Sequence, residues 1–436
     1  MKNWITIFLV GCVFSMYIFP FTFTFLPVGN TKIFIAVLGL VLWLANMVRR
    51  RESLVSKSMV KVSLWAFTIS LVSVISLAYN GATDTAYVSY LISMWVWVGA
   101  AYFICYLIKS LHGEITVELI CWYFIGVCAA QCLFAILIEF QPLIQNVVNS
   151  LVMQQSQQYL EEVDRMYGIG AAFDTAGSRF ACALIMIIYL LARKIKNNFD
   201  WKYVVVCSVL FIWITIVGNM VARTTSAGLV IALIYILIDS QFFKLKISRP
   251  HLNSLNILAS VIILLLPLII ILYRIPSVEH LFKFAFEMIY NFADSGEIQT
   301  GSTDVLLKMW SHYPREFKTW IIGDGYFMSP NFTNPFFIGD NIYTYYMGVD
   351  VGYLRFIYYF GVIGLLSFVI FMYKSAKECA NNHPKCKYLF IMLLIMNYVL
   401  WMKVATDLFC VFALFLMLDP SIQEEEPNTN LTTVEQ

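Results

Sequence analysis

Charge is what this sequence has least of. Asp, Glu, Lys and Arg together make up 13% of its 436 residues while hydrophobic residues make up 60%, too little charge to cover a water-facing surface of that size. A soluble globular protein is excluded as a class. Strict apolar/polar alternation is also missing, which argues against a β-barrel, because the apolar runs are continuous. The chain has no glycine-rich nucleotide loop, no internal repeat and no acidic metal cage. Its formal net charge of +2 gives no basic excess for nucleic acid. No small-residue cleavage site follows the apolar run at 4–19, which predicts an uncleaved first helix rather than a signal peptide.

The ten cysteines do not make a disulfide framework. Cys12, Cys105, Cys121, Cys128, Cys132, Cys182, Cys207 and Cys410 lie within or at the ends of apolar runs and read as packing residues. Cys379 and Cys386 flank His383, three ligands without a fourth, so no metal site is expected.

What the chain does have is long apolar runs, with a mean hydropathy of +0.75. A helix rises ~1.5 Å per residue, so ~20 apolar residues cross a ~30 Å hydrocarbon core. The fold class this predicts is an all-α polytopic membrane protein of about twelve transmembrane helices with one large periplasmic loop. Spans are expected near 4–19, 33–48, 62–79, 87–108, 115–138, 180–192, 203–221, 227–243, 255–273, 351–373, 388–402 and 408–418. Arg49, Arg50, Arg51, Lys57 and Lys61 make the first basic link, and the links after the spans ending at 192, 243 and 373 are basic too. Most of the 29 Lys and Arg then fall on one side, which the positive-inside rule assigns to the cytoplasm together with both termini. The expected organisation is an N-terminal bundle over 1–273 with a smaller periplasmic loop at 139–177, a large periplasmic loop at 274–350, C-terminal helices over 351–418 and a cytoplasmic tail at 419–436. Within 154–164 a polar stretch predicts a short surface helix.

The loop at 274–350 gathers Glu287, Asp294, His312, Arg315, Gly323, Asp324, Gly325, Tyr326, Asp340 and Asp350, and a loop of that length in a compact protein is usually functional. Around it, Arg165, Arg179, Arg223, Arg274 and Arg355 fall near the outer ends of spans, where arginine is not needed for orientation. Snorkelling or ion pairing explains Arg165 and Arg274 as readily as function does. Arg179, Arg223 and Arg355 would each be costly without a cavity or partner, and guanidinium forks bind phosphate oxygens bidentately. An anionic lipid-linked substrate, a diphosphate, is the ligand class this suggests.

Four patches, RMYGIGAAFDTAGSRFACAL at 165–184, ARTTSAGL at 222–229, IIGDGYF at 321–327 and DVGYLRFIYYFGVIGLL at 350–366, resemble the O-antigen polymerase and O-antigen ligase group of bacterial membrane enzymes. The resemblance implies a GT-C-like architecture in the inner membrane and transfer of a glycan from an undecaprenyl-diphosphate-linked oligosaccharide to a sugar hydroxyl on the periplasmic face. It implies no nucleotide sugar, no cofactor and no metal, with the substrate, membrane lipid and a polysaccharide chain-length regulator as partners. Ligases of the group begin an H-N-x-x-L pattern before the helix that follows the large loop. Here Asp350, Val351, Gly352, Tyr353 and Leu354 stand in that pattern, which turns the reading toward a polymerase and makes Asp350 the candidate base or acceptor-orienting residue. A helix N-cap is the structural alternative for Asp350.

His312 is the competing base, although a packed or surface histidine fits its aromatic surroundings equally well. Gly323, Asp324 and Gly325 predict a tight turn that aims Tyr326. Trp310, Trp320, Tyr326, Tyr343, Tyr345 and Tyr346 are glycan-stacking candidates, with an interfacial aromatic belt as the alternative. Asp174 is expected to pair with a neighbouring arginine, with catalysis as the distant alternative, and the apolar face of 280–292 to lie along the interface or pack on the bundle. Readings that compete with a polymerase are a ligase acting on the lipid A core, a lipid-linked oligosaccharide flippase or other transporter, and a carrier-binding subunit without catalysis.

Overall fold

A computed structural model of the chain describes residues 4–27, 29–50, 55–153, 165–197, 200–239, 276–287, 290–292, 296, 301–330 and 344–419. The expected span at 255–273, the surface helix at 154–164, the link at 244–249, Arg274, Asp294, Asp340 and Tyr343 lie outside the described residues, as does the tail beyond 419.

Among the described residues seven helices are long and apolar enough to cross a membrane, which is the architecture of a multi-pass membrane protein. In chain order the helices are α1 (Trp4–Ile18), α2 (Thr31–Arg50), α3 (Lys57–Asn80), α4 (Tyr90–His112), α5 (Val117–Phe140), α6 (Pro142–Leu151), α7 (Phe173–Asn197), α8 (Trp201–Val221) and α9 (Thr225–Asp239). Three short helices follow, α10 (Pro276–Ala285), α11 (Gly301–Trp310) and α12 (Phe317–Ile321), then α13 (Gly352–Asn382), α14 (Lys387–Leu400) and α15 (Phe409–Leu416). The spanning set is α2, α3, α4, α5, α7, α8 and α13, while α1 and α9 are apolar but shorter.

The sequence places the start of the sixth span at 180, yet α7 begins at Phe173 and carries Asp174 and Arg179 in its first turns. Those polar residues look like loop until their partners are known. Helix α7 is also the centre of the bundle, its apolar stretch buried almost throughout. Small residues make that possible: a Cβ on Gly228 of α9 would stand 2.3 Å from the Ala181 Cα of α7, so the two helices touch backbone to backbone. By contrast α2 leaves Val37, Leu38, Val41 and Leu44 exposed, as a lipid-facing helix would.

The final hairpin is short, as expected. Helix α14 has 14 residues and α15 has 8, roughly 21 and 12 Å of rise against a ~30 Å core. Every residue of α15 is buried, and Tyr17 of α1 donates to the Cys410 carbonyl at 2.6 Å, so α15 is an internal plug among α1, α4 and α13.

Two ends of the bundle separate by chemistry. At one end the chain leaving α1 pairs with the chain leaving α6 in a two-residue antiparallel ribbon, β1 (Thr22–Phe23) with β2 (Val152–Met153). At the other, Lys61 pairs with Glu378 at 3.1 Å, Tyr189 donates to the Lys385 carbonyl, and Arg193 lies against Cys386. That second end carries Lys61, Arg193 and Lys385 of the basic links. The α3–α4 turn, the α8–α9 break, the start of α13 and the α14–α15 turn meet away from it and carry the candidate residues.

Candidate functional site

The site is organised by a break in α13. Phe360 and Gly361 depart from helical geometry, with Gly361 at φ +68°, so the preceding carbonyls lose their intrahelical donors. The Gly323–Asp324–Gly325 turn supplies replacements: Asp324 N–H donates to the Tyr358 carbonyl at 2.6 Å and Gly325 N–H to that of Tyr359 at 3.1 Å. Both glycines of the turn have positive φ, and a Cβ on Gly323 would stand 2.6 Å from the backbone of Tyr359 and Phe360. Their positive φ and close approach serve to dock the loop onto α13. Asn80 donates to the Gly323 carbonyl, and Lys318 pairs with Asp324 at 3.0 Å.

The docked loop leads into Tyr326, Phe327 and Met328, and here the structure adds a residue that the sequence reading missed. Buried Asp84, in the turn between α3 and α4, accepts from the backbone N–H groups of Phe327 and Met328, each at 2.9 Å, and from Ala86 N–H at 3.1 Å. Held this way, the Phe327 ring lies 3.6 Å from the Arg355 guanidinium on one side while Tyr345 lies 3.9 Å away.

Arg355, 5% exposed, donates to Asp350 at 3.4 Å and to the Phe327 carbonyl at 3.2 Å. Asp350 does not occupy the N-cap of α13: that position is Val351, and it makes no side-chain capping hydrogen bond. The carboxylate is thus free of the structural role that its sequence position suggested. Burial pushes its pKa up to about 6, opposed by Arg355 and Lys403 and reinforced by the negative charge of Asp174.

Among the described residues Asp174 pairs with no arginine. It takes Lys403 Nζ at 2.6 Å and the Thr224 hydroxyl, and Lys403 also reaches Thr224 Oγ1 at 3.2 Å. This joins the first turn of α7, the α8–α9 break and the α14–α15 turn. Beside it Arg223 pairs with Glu287, which also accepts from Gly301 N–H at the start of α11. Arg223 and Arg165 lie 4.5 and 4.8 Å from the same Phe284 ring.

Arg179 is set apart. It is 4% exposed, donates to the Thr175 carbonyl, Ser178 Oγ and Cys410 Sγ, and leaves Nε without a hydrogen-bond partner. Asp407, which takes Tyr90 OH at 3.2 Å, feels the charges of both Arg179 and Lys32. The arginines named by the sequence therefore divide: Arg165 and Arg223 share a ring, Arg355 holds Asp350, Arg179 sits deeper, and Arg274 is not described.

The stacking candidates are partly brought together. Tyr326 stacks on Tyr346 at 5.5 Å, and Tyr346 OH reaches Asp324 at 3.4 Å. Trp310 packs instead with Tyr353, Val351 and Leu354. His312 is exposed, with Nδ1 2.9 Å from the Lys308 carbonyl of its own helix turn. It forms no hydrogen bond with Asp350.

A largely apolar groove of about 490 Å³ lies elsewhere, between α1 and α5, with Gly11, His112, Gly126 and Gln131 in its wall and none of the candidate residues. The missed residues Asp84 and Lys403 share one weak signal in the sequence, a charged side chain in a short turn at the non-basic end of two apolar runs. No protein-family model, curated protein or solved structure matches the chain.

Proposed function

We propose that the chain is a membrane glycosyltransferase that polymerises lipid-linked saccharide units, as its likeness in sequence to O-antigen polymerases suggests. The supporting observation is Asp350, a carboxylate freed from capping, ion-paired with Arg355, and held by burial at a pKa of about 6. A general base works best with a pKa near the operating pH, and at neutral pH this one is mostly ionised.

In this reading the donor's diphosphate meets the cations around Asp174 and Glu287 and its first sugar lies toward Asp350. The acceptor hydroxyl oxygen attacks the anomeric carbon, its proton passes to Asp350, and the carbon–oxygen bond to the diphosphate breaks with the electron pair leaving on the phosphate oxygen. One displacement of this kind inverts the anomeric configuration. The site end faces the periplasm of a bacterial inner membrane, the basic end faces the cytoplasm, and the chain crosses about twelve times.

A transporter reading takes encouragement from the interrupted helix α13, since broken helices build transporter sites. Here the loop N–H groups of Asp324 and Gly325 satisfy carbonyls at the break, so those carbonyls need no ion or substrate to replace their lost donors, which favours the enzyme. Ligase activity differs from polymerase only in the acceptor.

The test is the cell-surface polysaccharide ladder of cells lacking the protein, complemented by wild type or by Asp350→Asn at equal membrane levels. A polymerase leaves a single repeat on its final acceptor, and the variant fails to restore the ladder. Loss of all core-linked glycan with accumulation of carrier-linked polymer identifies a ligase. Lipid-linked single repeats confined to the cytoplasmic face identify a flippase.

A further inference from the structure

We infer that Lys403 is a diphosphate-contacting residue of this site, a cation parked on Asp174 and Thr224 until an anionic substrate draws it away. The inference rests on the lipid-diphosphate reading above and changes which cation does the binding.

The arginines leave room for it. Arg179 and Arg355 are 4% and 5% exposed, Arg355 is further held between Phe327 and Tyr345, and Arg223 is already matched by Glu287. The Lys403 side chain is 39% exposed and carries a compact ammonium on a flexible four-carbon stem, so it can move without rebuilding its surroundings. An ammonium has three N–H donors. Two are used, on Asp174 at 2.6 Å and Thr224 at 3.2 Å, and among the described residues the third has no partner.

The backbone fixes where this cation stands. A Cβ on Gly352 would lie 2.6 Å from the Val404 carbonyl and 2.9 Å from that of Trp401, and Tyr353 N–H donates to Trp401. Only a glycine lets the turn that carries Lys403 press against the first turn of α13, directly after Asp350. Lys403 therefore pairs with Asp174 beside the start of α13, close enough for its charge to act on the Asp350 carboxyl. Thr224 hydrogen-bonds Asp174 and so keeps the parking carboxylate in place when the ammonium leaves. A diphosphate entering beside Arg223 offers more negative charge than one carboxylate and takes the ammonium over.

The experiment is reductive methylation of the purified full-length protein in lipid nanodiscs, with and without inorganic pyrophosphate, read by peptide mass spectrometry. Lys61, 57% exposed at the opposite end and paired with Glu378, is the internal reference. Pyrophosphate is expected to slow modification of Lys403 several-fold relative to Lys61. Lys403→Ala is expected to weaken pyrophosphate binding by roughly 10-fold or more, with Lys403→Arg retaining most of it. Unchanged modification of Lys403 under bound pyrophosphate, or binding by Lys403→Ala equal to wild type, overturns the proposal. So does a wild-type protein that binds no pyrophosphate; the glycan-transfer reading is then decided separately by the polysaccharide ladder. Protection is measured on the wild type, so a variant that fails to fold does not affect it.

Discussion

Arg355 reaches back to Asp350, its Nη1 donating to the carboxylate at 3.4 Å, while the guanidinium plane is held between the rings of Phe327 and Tyr345. The cation is fixed by a loop that is itself fixed on Asp84 and on the break in α13. Asp350 is thereby aimed by elements far from it in sequence.

That geometry needs a planar cation. Arg355→Lys keeps the charge but loses both faces and the fork, so it is expected to behave nearly as Arg355→Ala does, with transfer activity down by ~10-fold or more. Initial rates of purified variants check this; an Arg355→Lys enzyme at wild-type rate would mean that charge alone suffices.

The raised pKa of Asp350 sets two opposite pH trends. As a base it must be ionised, so activity is expected to rise with pH through about 6 and level off above. Folding favours its protonated form, because the folded-state value lies above the ordinary 3.8. This group's contribution to stability is therefore full below 3.8 and is lost as pH rises through about 6. The kcat/KM profile and thermal unfolding in detergent across pH 4 to 8 (roughly this window) measure the two, and Asp350→Asn should remove both trends.

At the α13 break, Gly361→Ala puts a Cβ 2.1 Å from the Ile321 carbonyl at a φ of +68°, and Gly323→Ala meets the Tyr359 backbone at a φ of +82°. Each is expected to cost about 1–3 kcal/mol and to loosen the loop. Gly126→Ala, where a Cβ meets nothing within 4 Å, should leave the melting temperature unchanged or slightly raised. Thermal unfolding and protease sensitivity of the loop at 301–330 report both.

Phe284 joins Arg165 to Arg223. Phe284→Leu is expected to weaken the effect of removing either arginine, with a coupling of about 0.5–1 kcal/mol in thermal-unfolding double-mutant cycles. Full additivity would show that the ring joins nothing.

Much of the helical layout was legible in the sequence because hydrophobicity alone dictates it: α2 to α5 and the break between α8 and α9 fall where the apolar runs and Arg223 put them. The start of α7 was not, because Asp174 and Arg179 are polar and their partners lie on other elements. Lys403 is 229 residues from Asp174, and no local pattern records that pair. The break in α13 hides in an apolar run at Phe360–Gly361, so the Gly323–Asp324–Gly325 turn read as a device for aiming Tyr326, whereas it also caps a broken helix. Asp350 stands out by its position, but its freedom from capping depends on where α13 begins, which only the fold shows.

The most direct measurement of the central claim is transfer by the purified protein in lipid nanodiscs, supplied only with undecaprenyl-diphosphate-linked repeat units and assayed for longer carrier-linked chains at pH 7 (about one unit above the Asp350 value). Chain extension is expected from the wild type, with a rate reduced roughly 100-fold or more by Asp350→Asn in folded protein. No extension by the wild type, or an Asp350→Asn enzyme as fast as the wild type, would contradict that claim.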